Sequence, residues 1–186
     1  MLERAIGALK ADVNVFEEIE HDEGATSQAV IIVAIVALLS AISRGLAIVG
    51  ETSDEFFLGA ILFFSFTLIW TFISWLLWSG ITYFVGTNLF GAEATMGEML
   101  RVIGFAYVPQ VLSIIPFVGL LAWLWSSYVG FVAVRQGLDL DNIKTFFTVA
   151  IGVIINIVLF IVIAMYHEVI IGLIVGVIFA VFGGGP

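Results

Sequence analysis

The sequence predicts an all-α fold, a polytopic transmembrane helical bundle, and three observations predict it. Long apolar runs alternate with brief polar breaks from Ser27 almost to Pro186. With 62% hydrophobic residues, 11% charged residues and a mean hydropathy of +1.20, a water-soluble domain of this composition would leave too much apolar surface in water. Nearly all the cations fall on alternate breaks, as expected when the breaks lie on opposite sides of a bilayer. Helices are implied because backbone amides cannot go unpaired in lipid.

Residues 1–26 precede the first span as an acidic segment. Leu2, Ile6 and Leu9 share one helical face, and Val13, Phe16 and Ile19 continue the stripe beyond a break expected at Asp12. Such a helix or helix pair either lies amphipathically at the membrane interface or packs on the protein's own loops. No cationic stretch with a short apolar core and cleavage site occurs here, so the segment is not read as a secretory signal. The Glu20-His21-Asp22-Glu23 cluster either binds a divalent cation through oxygen ligands or forms a solvated acidic face; it is read as the solvated face, with Asp22 or Thr26 available as a helix cap, and no metal site is expected.

The membrane domain is expected to fill 27–186. A first span, 27–49, carries Ala37, Ala41 and Gly45 at four-residue spacing, a small-residue face that lets another helix approach closely. A second, 56–85, has 30 residues without a formal charge, which as one helix reach about 45 Å and must tilt or protrude from a hydrocarbon core of about 30 Å. Its second half holds Trp70, Trp75, Trp78 and Tyr83, residues typical of an approach to the interface.

The third span, 99–115, contains Pro109, which removes an amide donor and should kink or break it. Pro116 to Gly119 reads as a tight turn leading to a fourth span, 120–134. This short hairpin either crosses a thinned bilayer or forms a re-entrant pair buried by its neighbours. A fifth span, 145–165, has Asn156 as its one strongly polar mid-membrane side chain. Tyr166-His167-Glu168 then interrupts the apolar run before 169–182, where Gly172 and Gly176 form a GxxxG pair, giving a short sixth or re-entrant helix.

Counting cations orients the bundle. With the N-terminus cytoplasmic, Arg4, Lys10, Arg101, Arg135 and Lys144 all fall inside and only Arg44 outside, which places the chain as a multi-pass protein of the cell membrane. The net charge of −9 argues against nucleic acid as a partner, and the lack of cysteine removes thiolate catalysis and cysteine metal sites. His167-Glu168 begins an H-E-x-x-H pattern, but residue 171 is Ile and the second zinc ligand is missing. No nucleophile elbow or phosphate-cradling loop occurs.

The least ordinary stretch is 97–109, with Gly97, Glu98, Leu100, Arg101, Gly104, Phe105, Ala106 and Pro109. Here the chain resembles the prokaryotic branch of the Yip1 family, whose signature looks like G-E-x-L-R-x-x-G-F-A-x-x-P. The likeness extends from the acidic segment through the Trp-rich second span to Arg135-Gln136-Gly137-Leu138 and the span after Thr145. It implies about five transmembrane helices and no known catalytic activity. Eukaryotic relatives are linked with Rab-type GTPases through a D-L-Y-G-P motif. The nearest stretch here, Asp12-Val13-Asn14-Val15-Phe16, lacks the glycine and proline, so a Rab-like partner is not carried over.

The candidate functional residues follow. Glu98 and Arg101 stand three apart, the spacing of an ion pair, and form either an interfacial anchor or an intramembrane site. Tyr107, Pro109 and Gln110 mark a kink that either opens a polar notch or is satisfied locally. Asn156 either lines a pathway or hydrogen-bonds a neighbouring helix. The expected function is that of a non-enzymatic membrane protein, without cofactor, which organises membrane or recruits other membrane proteins. The alternative is a small transporter or channel with its polar site at the kinked third helix. Self-association through the small-residue faces is open to both.

Overall fold

The computed structural model describes residues 1–48, 54–115 and 118–182, without the side chains of 44–48, 54–59, 113–114, 167–176 and 178–182. Among the described residues seven α-helices follow in order: α1 (Leu2–Leu9), α2 (Val13–His21), α3 (Ala25–Ile48), α4 (Asp54–Phe90), α5 (Met96–Ala106), α6 (Gly119–Gly137) and α7 (Asn142–Phe182). A 3₁₀ segment, Val108–Ile114, follows α5. Among the described residues, three helices are long and apolar enough to cross a membrane, over Ala25–Ser43, Ala60–Phe90 and Asn142–Tyr166.

The N-terminal pair folds through local capping. α1 ends with Ala11 in the left-handed region (φ 56°), so that the Asp12 amide donates to the Gly7 carbonyl and the Ala11 amide to the Ala8 carbonyl. Asp12 then caps α2 by accepting from the Asn14 amide at 3.0 Å, which makes it the break the sequence marks. The apolar stripe divides between its two possible roles. Phe16 and Ile19 are fully buried in the core against α5 and α6, whereas Leu2 and Ile6 remain exposed. Asp22 does not begin α3 itself; its carboxylate accepts from the Gly24 amide and closes the turn before the helix.

The core lies where α2, α3, α5 and α6 meet, with Trp75 entering from α4. Close approach is set by small residues. A Cβ on Gly104 would meet the Ala29 Cβ at 2.6 Å, and one on Gly137 would meet Val102 at the same distance. The small-residue face of α3 is used within the chain, for Ala37 and Ala41 are completely buried and α3 packs along α4. Gly45, Gly172 and Gly176 fall on helical backbone whose side-chain surroundings lie outside the described residues.

Two expectations about the spans are corrected. The third span is not one helix from 99 to 115: α5 ends at Ala106 and the chain continues as 3₁₀ turns, because Pro109 has no amide proton and disfavours the α conformation at Val108. The 169–182 segment is neither a separate sixth helix nor re-entrant, since α7 runs unbroken for 41 residues, about 60 Å. Tyr166, His167 and Glu168 lower the hydropathy there, but none is a helix breaker. The turn expected over Pro116 to Gly119 falls partly on residues 116 and 117, outside the described residues, and α6 begins at Gly119.

α4 and α7 carry long runs of exposed apolar side chains. Leu62, Phe66 and Ile69 on one, and Ile154, Ile157 and Phe160 on the other, are all more than half exposed, the surface expected of helices that face lipid.

Candidate functional site

The signature stretch forms the centre of the molecule. Thr95 and Glu98 build a reciprocal capping box: the Thr95 hydroxyl accepts from the Glu98 amide at 3.2 Å and the Glu98 carboxylate accepts from the Thr95 amide at 2.6 Å. Glu98 is therefore engaged at the start of α5. The ion pair expected between Glu98 and Arg101 is not formed; among the described residues the salt bridges join Arg4 to Glu18 and to Asp22, each at 2.6 Å.

Arg101 points instead at the N-terminal segment. Buried, it donates through Nε to the backbone carbonyl of Glu20 at 3.0 Å, through Nη2 to the same carbonyl, and through Nη1 to the Thr26 hydroxyl at 3.5 Å. A carbonyl at the end of α2, left without an intrahelical donor, is thus held by a guanidinium from α5. A Cβ on Gly97 would stand 3.2 Å from Nη1, so the glycine leaves the arm its path.

The rest of the signature packs. Met99, Val102 and Phe105 are fully buried, and Trp75 Nε1 donates to the Leu100 carbonyl at 3.1 Å. Pro109 cannot supply an amide proton to the end of α5, and the Gln110 amide turns to the Tyr107 carbonyl at 2.9 Å. The Ala106 carbonyl, deprived of both donors, accepts from the Ser126 hydroxyl of α6 at 3.2 Å. The kink is satisfied by its neighbour. Tyr107 and Gln110 both line two cavities: one of about 240 Å³ that also touches Trp78, Trp123, Ser126 and Val153, and one of about 150 Å³ with Ser40, Thr67, Thr71 and Ser74. Asn156 lines neither and is exposed on α7.

The acidic segment is not uniformly solvated. Glu20 is only 4% exposed, and one of its carboxylate oxygens, Oε2, has no hydrogen-bond partner. Burial, then the nearby Asp139 and Glu17 carboxylates, pushes its carboxyl up to about 7. Asp139 occupies a left-handed position (φ 49°) at the end of α6, where the Leu140 amide returns to the Arg135 carbonyl and the Asp139 amide to Gln136. Carboxylate oxygens of Glu17, Glu20 and Asp139 lie within 4.8 Å of one another, close enough for the three to hold a metal ion. Asp139 was invisible as a site residue in sequence, because 119 positions separate it from Glu20. By contrast, Asp22 is only partly buried, and its hydrogen bond from Arg4 holds its carboxyl below the usual range.

Fold and site together define an all-α integral membrane protein with no strand among the described residues. Its residues 6–165 match the Yip1 domain, and the chain belongs to the Yip1 family. No curated protein and no solved structure matches it.

Proposed function

We propose that the protein is a non-enzymatic, multi-pass component of the cell membrane, with a cytoplasmic N-terminus, that organises membrane or recruits other membrane proteins. Family membership supports the membrane class. One observation carries the rest: Arg101 fastens the N-terminal helix pair to the base of the bundle, while Leu2 and Ile6 stay exposed on the far side of α1 beside the acidic residues Glu3 and Glu18. A fixed, amphipathic, negatively charged platform is suited to holding a partner. The signature of α5 is mostly buried, so its part is to position this platform rather than to meet a partner directly.

Affinity purification from native membranes in mild detergent tests the reading, with Leu2→Glu/Ile6→Glu beside wild type. A stoichiometric partner that is lost in the variant supports it. Wild type recovered alone or with lipid only removes its basis. A small transporter or channel is the second reading, favoured by Tyr107 and Gln110 lining two cavities between the spans. It predicts tracer flux in proteoliposomes that falls in Gln110→Ala, while Asn156→Ala, on the outer face of α7, leaves flux unchanged.

A further inference from the structure

The geometry points to a divalent-cation site formed by Glu17, Glu20 and Asp139, taking a hard ion of the Mg²⁺ or Ca²⁺ class and joining α2 to the turn between α6 and α7. Glu17 and Glu20 stand three apart on α2 and so present their carboxylates on one helical face. Asp139 reaches them from the α6–α7 turn, and oxygens of all three lie within 4.8 Å. Carboxylates that close repel each other unless a positive charge lies among them.

The second observation is independent of the clustering. Glu20 is buried to 4% exposure, yet its Oε2 has no hydrogen-bond partner. An unpaired buried carboxylate oxygen is costly, and a cation coordinated among the three groups is what relieves it. The nearest buried cation, Arg101, does not supply that relief, because its guanidinium is committed to the backbone carbonyl of Glu20 and to Thr26.

Donor chemistry sets the class of ion. All three candidate ligands are carboxylate oxygens, which suit Mg²⁺, Ca²⁺ or Mn²⁺, with water completing the shell. There is no cysteine, and the three grouped ligands include no histidine, so the cluster itself offers a softer metal no preferred ligand. Gln136 donates to Glu17 Oε2 at 3.1 Å and orients that carboxylate from the α6 side. The bound ion would fasten the platform at a second point, beside the Arg101 anchor, and this inference stands whether or not the platform recruits a partner.

The test uses the full chain in detergent, stripped with a chelator and titrated separately with MgCl₂, CaCl₂ and MnCl₂ by calorimetry and thermal melting. At least one of the three should bind saturably at one equivalent and raise Tm beyond the effect of NaCl at equal ionic strength. The hydrogen-bond partners of metal ligands are alone worth roughly 10–100-fold in metal affinity, so losing a ligand itself in Glu20→Gln or Asp139→Asn should weaken binding by about 100-fold. Glu3→Gln, on α1 and outside the cluster, should bind as wild type does. Asp139 is exposed and asparagine tolerates its left-handed backbone, so Asp139→Asn decides the matter even if Glu20→Gln does not fold. Absence of saturable binding by all three ions, a Tm rise matched by NaCl, or unchanged affinity in Asp139→Asn would overturn the assignment.

Discussion

The base of the bundle and the long helix α4 contain similar polar chemistry and use it in opposite ways. At the base, polar groups bond between elements: Arg101 of α5 to the end of α2, Ser126 of α6 to the end of α5, Gln136 of α6 to α2, and Trp125 of α6 to the Leu9 carbonyl of α1. Along α4, hydroxyls turn back on their own helix, Thr67 to Phe63, Thr71 to Thr67, Ser74 to Trp70 and Ser79 to Trp75, at 2.7–2.9 Å. The first pattern creates tertiary structure; the second only satisfies a polar group where no water is available. Removing a bonded polar group should therefore be costly at the base and mild at these hydroxyls of α4.

The largest effect is expected at Gly104, where α3 and α5 touch. A methyl group there would stand 2.6 Å from the Ala29 Cβ and 3.2 Å from its Cα, and backbone cannot swing aside as a flexible side chain can. Gly104→Ala should therefore cost about 1–3 kcal/mol, the range for overpacking a filled core, seen as a lower Tm in detergent. An equivalent methyl at Gly130 meets nothing within 4 Å, and Gly130→Ala should leave Tm unchanged or slightly raised. Equal effects at the two glycines would remove the distinction between base and periphery.

Arg101 comes next. Arg101→Met keeps the volume but leaves the buried Glu20 carbonyl without its donor, a loss of about 1–3 kcal/mol concentrated at one joint. Hydrogen exchange should quicken across α2 while α4 and α7 keep their protection. Uniform quickening would mean that the anchor is part of the global core instead of a local fastening.

What was legible in the sequence divides along the same line. Apolar periodicity and charge-free length revealed α3, α4 and the first part of α7, because a helix in lipid is determined by its own residues. Asp12 was readable as a break for the same local reason. Hydropathy misled at 166–168, since a polar triplet without glycine or proline lowers apolarity without ending a helix. The partners of Glu98 and Arg101 were not readable: spacing permits an ion pair, but the capping box claims Glu98 and a carbonyl 81 positions away claims Arg101. The family signature marked the right stretch, and only the fold explains its members, Gly97 and Gly104 by clearance and Ala106 and Pro109 by the freed carbonyl that Ser126 takes.

A smaller effect tests the outer edge of the base. The Asp22 carboxyl is held below its ordinary value by Arg4, so the stability it contributes is present above the unfolded value of 3.8 and is lost as pH falls through the lower folded value. Arg4 remains protonated throughout. Protease cleavage between α1 and α3 should rise as pH is lowered from about 4 towards 2, and Arg4→Gln should flatten that rise. A profile identical in the variant would assign the acid response to other carboxylates.

The smallest expected effect gives the sharpest comparison, because one chemistry, a hydroxyl donating to a carbonyl, can be removed in both regions. The Thr71 hydroxyl bonds at 2.8 Å to a carbonyl inside α4, where helical geometry already offers that carbonyl an amide partner. Thr71→Val should shift stability by no more than about 0.5 kcal/mol. The Ser126 hydroxyl reaches the Ala106 carbonyl, whose helical donors are missing because residue 109 is proline and the Gln110 amide is engaged with Tyr107. Ser126→Ala should cost about 1–3 kcal/mol, although its hydrogen bond is the longer at 3.2 Å. If thermal melts ranked the two by bond length instead, the importance of a polar group here would lie in its geometry alone. If they rank by whether the acceptor has another donor, the base of the bundle is held by satisfying what Pro109 leaves open.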